Sequence, residues 1–403
     1  MMRSIKLSIL IAIVALAVIS VACVRKQKET SNGTEISSFG QDSLSPVQTP
    51  FIESGIHSPI VFGGKIIAAA KIDRQSNSLF DGIVEYDPQN ALITRQLYYS
   101  QYESASFGKI VSVGDSGFVF EEYTDFGAFE QILYCDYQAE KIEQLTNNTE
   151  ERKILNSSLS VVDDKVFWIE FENGDDVATD SSDEYPFGMG IPGNIIMYNL
   201  TTRKQEVIAS ISWVDYGTYS SETNLFWLDY CYSEDKSQVI TSLHTYSPEN
   251  ALHKELGTLE GAPYALLGAV DDKVIVSVSS AVIMSDENSE NEPTPKYYDC
   301  GDMDWHDMKS LAKHMMMPPI GINGNLLFAG FECGSTEGYS KLWMYDITAD
   351  KVKQVPTDYD GFPLTPVSYC FDGNHALAFL DNSLKTYEKD ATGVVQIFQI
   401  EIP

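Results

Sequence analysis

A polar hairpin turn followed by an apolar run recurs seven times along the chain. No other feature limits its fold as strongly. The turns are Gly63-Gly64-Lys65, Asp115-Ser116-Gly117, Asp163-Asp164-Lys165, Glu222-Thr223-Asn224, Asp271-Asp272-Lys273, Asn323-Gly324-Asn325 and Asp372-Gly373-Asn374. Their centres lie 52, 48, 59, 49, 52 and 49 residues apart. Self-similarity at a period of about 50 residues marks a radial or stacked array, in which each unit buries its faces on its neighbours.

Each turn is followed by a strand. The next three residues read Ile66-Ile67-Ala68, Phe118-Val119-Phe120, Val166-Phe167-Trp168, Leu225-Phe226-Trp227, Val274-Ile275-Val276, Leu326-Leu327-Phe328 and His375-Ala376-Leu377. β-Branched and aromatic side chains dominate, as expected of strands buried on both faces. His375 is the one polar residue of this column and is expected to be a satisfied core histidine.

A second column follows, in which Asp, Asn, Ser or Glu succeeds a tyrosine-like position. It is read at Tyr86-Asp87, Cys135-Asp136, Tyr198-Asn199, Tyr246-Ser247, Ser285-Asp286, Tyr345-Asp346 and Tyr387-Glu388. With a strand before each turn and another after the column, every unit holds about four antiparallel strands, the content of a propeller blade. The expected class is all-β: a β-propeller of seven four-stranded blades, with six or eight as alternatives. Units five and seven fit less well, with only 13 and 14 residues between turn and column. Trp305 to Met316 is the one stretch with a helical period, placing Trp305, Met308, Leu311 and Met315 on one side.

The repeat disposes of one catalytic motif. Gly114-Asp115-Ser116-Gly117 resembles the nucleophile motif of chymotrypsin-like proteases, with His57 upstream. It falls on the second turn, where Gly and Asp are expected for backbone freedom, and His57 is only 59 residues from Ser116. No G-x-S-x-G elbow occurs.

Two segments depart from the repeat. Unit three carries an insertion from Asn173 to Gly193 with Asp175, Asp176, Asp180, Asp183, Glu184, Tyr185 and Phe187. These carboxylates offer oxygen ligands for Ca²⁺ but lack the alternation of a calcium loop. A solvated acidic loop is expected, its aromatic end a candidate binding surface. Between units five and six, Asp304, His306 and His314 are candidate transition-metal ligands, although their spacing matches no familiar site. Trp305 is a candidate binding residue, and a structural cap is the principal expectation for this stretch.

Ahead of the repeat, Arg3 and Lys6 precede an apolar run from Leu7 to Ile19, long enough for a signal-peptide core and too short to span a bilayer. Ser20-Val21-Ala22-Cys23 follows and resembles a bacterial lipoprotein cleavage site, departing from it at Ser20, where an aliphatic residue is usual. The resemblance implies a signal at 1–22 and a diacylglycerol on Cys23. An ordinary cleaved signal is the alternative. Residues 23–54 form a polar tether too poor in apolar residues to fold, and 55–403 form the propeller.

The chain has 58 acidic and 27 basic residues, a net charge of −31. Nucleic acid is excluded as a partner, since its recognition needs a basic face. Cys135, Cys231, Cys300, Cys333 and Cys370 are too few and too scattered for a disulfide framework.

Phrases such as Leu342-Trp343-Met344-Tyr345-Asp346-Ile347-Thr348-Ala349-Asp350-Lys351 and Asp163-Asp164-Lys165-Val166-Phe167 resemble those of the TolB-like and YncE-like propellers. The resemblance covers about 350 residues and implies an extracytoplasmic propeller with no transferable catalytic residue. The expected function is that of a monomeric, cell-envelope lipoprotein, held to the membrane by its lipid alone. It would bind a protein, peptide or glycan through propeller-face loops, with no cofactor unless one of the acidic segments holds Ca²⁺ or a transition metal. The alternative is an extracytoplasmic lyase or metal-dependent hydrolase with a polar site in the central channel. That would need several His, Asp, Glu or Arg side chains converging on one spot.

Overall fold

The computed structural model describes residues 56–401, apart from isolated short stretches and the longer segments 173–189, 279–293, 333–340, 356–364 and 382–394. The leader, Cys23 and the tether lie outside the described residues.

The strands form seven antiparallel sheets, spanning 56–99, 105–144, 160–214, 219–261, 264–307, 314–354 and 365–401. Five hold four strands each. The sixth counts five because its first strand is split into His314–Met316 and Ile320–Ile322, which pair with the same neighbour, Asn325–Glu332. The break falls at Met317-Pro318-Pro319, where two prolines cannot donate to a ladder. The seventh holds three strands among the described residues.

The first strands touch one another in order around a ring. They are Ile56–Phe62, Ala105–Val113, Ser160–Val162, Tyr219–Ser220, Tyr264–Val270, Ile320–Ile322 and Thr365–Asp372, and the last returns to contact the first. The fold is a β-propeller. Each blade is built from one continuous stretch, and among the described residues no strand from one end of the chain joins the blade at the other.

The core is divided among the blade junctions. Seven apolar clusters fill them, each drawing residues from two successive blades. Period-two alternation explains this. In blade one, Ile66 and Ala68 face blade seven, while Ile67 and Ala69 face blade two. Both faces of the second strand are therefore buried, which is why it reads as continuously apolar.

The Asp or Asn after the tyrosine position has a local task in three blades. Asp136, Asn199 and Asp346 each accept a hydrogen bond from the backbone N–H three residues on, at 2.9, 2.7 and 2.9 Å. They tie the hairpin between the third and fourth strands. One residue further on, the chain is left-handed in five blades, at Glu140, Arg203, Ala251, Met303 and Asp350.

Three sequence expectations need correction. In blade five the tyrosine column is Tyr297-Tyr298-Asp299, with Tyr298 opposite Val274, and not Met284-Ser285-Asp286. In blade seven it is Gln399-Ile400-Glu401, with Ile400 opposite Ala376, and not Thr386-Tyr387-Glu388. Longer connections between second and third strands, rather than weaker repeats, caused the mismatch. Trp305 to Met316 is also no helix. It comprises the strand Asp304–Asp307, a single 3-10 turn Lys309–Leu311 and the strand His314–Met316. Met308 and Leu311 are fully buried between blades five and six.

The blade seven–blade one cluster is made of Ile56, Ile66, Ala68, Tyr86, Cys370 and Leu377. Leu377→Ala should lower stability by about 2–5 kcal/mol, read as a fall in Tm. The Tyr86 hydroxyl in the same cluster is buried without a hydrogen-bond partner. Tyr86→Phe should leave stability unchanged or raise it by up to ~1 kcal/mol; a clear loss would show that the hydroxyl is satisfied in solution.

Candidate functional site

Tight turns join first to second strands at one end of the ring. Connections from second to third strands leave at the other, because antiparallel neighbours alternate direction. The long connections of blades three, five and seven, from Phe171 to Ile191, Val278 to Lys296 and Asp381 to Val395, all belong to this second class. The candidate binding residues Asp175, Asp176, Asp180, Asp183, Glu184, Tyr185 and Phe187 are in the first of these and lie outside the described residues.

The tight-turn end explains the protease-like tetrapeptide. Ser116 sits in the blade-two hairpin, its hydroxyl donating to Val113 O at 2.9 Å and accepting from the Tyr134 hydroxyl at 3.2 Å. The groove beside it is lined by Asp115, Asp136, Asp163 and Asp164, with no histidine.

The three candidate metal ligands are not brought together. His314 packs edge-on against Trp343, with ring centroids 4.6 Å apart. His306 stacks on Tyr297 and bonds Asp302 at 2.9 Å. Its ligand atoms gather within 4.8 Å of those of Asp299 and Asp302, leaving Asp304 outside the group. Asp299 also accepts from Gly301 N and pairs with Lys273 at 3.4 Å, so it is already engaged in its hairpin. Trp305 lies in the outer strand of blade five. Its ring meets Tyr298 edge-on, and Gly257 of blade four leaves room for its indole.

Sequence reading missed a group inside the ring. The blade-two inner strand loses register between Phe107 and Ile110, and this bulge turns Lys109 inward. Its Nζ lies 4.5 Å from the centre of the Tyr219 ring. Tyr219 begins the inner strand of blade four. Blades two and four are not neighbours, so the contact passes inside the ring, in front of blade three. Tyr369, on the inner strand of blade seven, is close enough to Tyr219 for the two phenols to influence each other electrostatically. Its hydroxyl donates to Pro318 O.

Glu121 holds the bulge. One carboxylate oxygen accepts from Lys109 N and the other from Leu159 N, both at 3.0 Å. A Cβ on Gly108 would lie 2.1 Å from Glu121 Oε2, so any larger residue there would displace the Glu121 carboxylate from the bulge. Lys109 and both tyrosines are half-buried: protein surrounds them, yet solvent reaches part of each. Burial pushes the Lys109 amine down to about 8, against the pull of Glu121. It pushes the Tyr219 phenol up to about 12. Gly108-Lys109 inside the inner strand Ala105–Val113 was the signal that could have revealed this site.

A second polar group lies in blade four. His244 Nδ1 and His253 Nε2 are 3.1 Å apart, and both rings pack on Trp227. Burial and then His253 hold His244 below the ordinary imidazole value, Asp229 and Glu255 opposing. The folded state therefore disfavours the His244 proton. Its contribution to stability is complete above about pH 6.5 and declines as pH falls through the depressed folded value. His244→Gln should flatten this part of the Tm-versus-pH curve; an unchanged slope would exclude His244 as its source.

No family model matches the chain, and no curated protein matches it. Solved structures do. The β-propeller domain of the Trilobed protease from Pyrococcus furiosus, described as having an open velcro topology, is 12% identical, with a TM-score of 0.56 over 86% of this chain and 95% of that one. Pyrococcus horikoshii acylaminoacyl peptidase is 11% identical, with a TM-score of 0.56 over 86% of this chain; the chain spans about half of that protein, 52%. Oligogalacturonate lyase from Vibrio parahaemolyticus is 12% identical, with a TM-score of 0.51 over 89% of this chain and 93% of that one. At such identities the likeness is one of fold alone.

Proposed function

We propose that the protein is a binding propeller of the cell envelope. It is tethered through a lipid on Cys23 and recognises a protein, peptide or glycan on the face that carries the connections between second and third strands. The observation that supports this reading is the segregation of the three longest such connections to one end of the ring, opposite the tight turns. Loops mounted on a rigid scaffold are where recognition is usually placed. The acidic composition suits cationic partners on that face.

The gathering of Lys109, Tyr219 and Tyr369 inside the ring favours one alternative, an extracytoplasmic enzyme working in the channel. Tyr369 spends its hydroxyl on Pro318 O, and Glu121 is held by two backbone amides. Both arrangements serve the scaffold and support binding over catalysis.

Capture from envelope extracts tests the reading. The full chain should retain a reproducible partner, and replacing residues 175–187 with a Gly/Ser linker of equal length should lose it. Failure to retain any partner, together with turnover of a glycan or ester, would support the enzyme instead. Cys23→Ala should move the protein from the membrane to the soluble fraction; unchanged fractionation would refute the lipid anchor.

A further inference from the structure

We infer that the centre of the propeller ring is a binding site for a single carboxylate group, anchored by the Lys109 ammonium beside the Tyr219 ring. The inference goes beyond the face-binding reading above and stands independently of it.

The geometry of Lys109 carries the argument. An ammonium has three donors and no acceptor. Here one side of it faces the Tyr219 ring at 4.5 Å, a contact that stabilises the cation without accepting a conventional hydrogen bond. Among the described residues no carboxylate lies within ion-pair distance of Nζ, and the ion pairs they form involve other cations. Glu121, the nearest acid behind it, directs its oxygens to the backbone amides of Lys109 and Leu159. The amine is thus held inside the ring with donors left for solvent or for an anion.

The bulge is built for this placement. Gly108 leaves room for the Glu121 carboxylate, and Glu121 in turn holds the peptide of Lys109 through its N–H. A lysine serving only for solubility would need neither.

Charge selects the class of ligand. The chain carries −31 overall, so polyanions are repelled, and one amine neutralises one negative charge. The Tyr219 ring adds apolar surface beside the ammonium. A monocarboxylate with an apolar or aromatic body meets all three conditions. Its source is either a free organic acid or the C-terminus of a peptide, and the chemistry recognised is the same.

The test uses the full chain in detergent, with benzoate as the free acid and a short neutral peptide carrying a free C-terminus. Benzamide and the amidated peptide are the uncharged controls. Calorimetry should show saturable binding of at least one acid and at least about tenfold weaker binding of its control. Lys109→Met should lose the same factor, and Lys109→Arg should retain most of the affinity. Preference between benzoate and the peptide identifies the source. Independently of any variant, the NMR signal of the Lys109 side chain should move with the acid and not with its amide, which keeps the inference testable if Lys109→Met fails to fold. Absence of saturable binding by both acids, equal affinity in Lys109→Met, or an unmoved Lys109 signal would overturn it. If the acids fail while wild type and Lys109→Met capture the same envelope partner, the channel site is wrong and the face-binding reading stands. If an acid binds but no partner is captured, the reverse holds.

Discussion

Everything in this molecule depends on contact between successive blades. No blade has a core of its own: each second strand is apolar on both faces and needs a neighbour on each side. The requirement can be met for every blade only if the last one returns to the first. That junction is formed by side-chain packing between blades seven and one, with no shared strand among the described residues. Apolar packing is non-directional and scales with buried area, so its six buried residues must close a ring that the backbone ladder leaves open.

Carboxylates supply direction where apolar packing cannot. Glu121 links blade two to Leu159 at the entrance of blade three, and Glu130 accepts from Ile154 N on the same connection at 3.1 Å. Asp229 of blade four accepts from Ser212 N and Trp213 N of blade three at 2.9 and 3.2 Å. Asp271 of blade five accepts from Gly324 N of blade six at 2.9 Å. Between blades one and two, Glu85 accepts from the Tyr137 hydroxyl, and within blade one it pairs with Arg95 at 3.2 Å. Burial works against the Glu85 charge, but Tyr137, Thr94 and Arg95 outweigh it and hold its carboxyl below the usual range. A share of the acidic composition is therefore structural, since charged acceptors on backbone amides are stronger than neutral ones.

The architecture was legible in the sequence because turn and strand signals are local. Gly63-Gly64 takes two left-handed residues at its hairpin, and the strands after each turn are apolar on both faces. Register across long connections was not legible. The tyrosine column of blade five was sought within 13 residues of its turn, whereas the pairing partner of Val274 is Tyr298. Nothing local distinguishes Ser285-Asp286 from Tyr298-Asp299; the ladder decides. The supposed helix from Trp305 failed for a related reason. Buried Met308 and Leu311 are three residues apart in a 3-10 turn, which mimics helical spacing without continuing it. Of the candidate site, only the long connections were visible. Lys109 depends on a bulge, and a bulge is defined by the partner strand.

Contiguous blades also bear on how the chain order could be rewritten. Ile56 opens the inner strand of blade one and Glu401 closes the third strand of blade seven, at a junction already in contact. Because no strand is exchanged between the ends among the described residues, new termini placed between any two blades, with the old ones joined, would preserve every described ladder. The molecule is in this sense a circular permutation waiting to be made: its sequence has a beginning, but its sheet order has none.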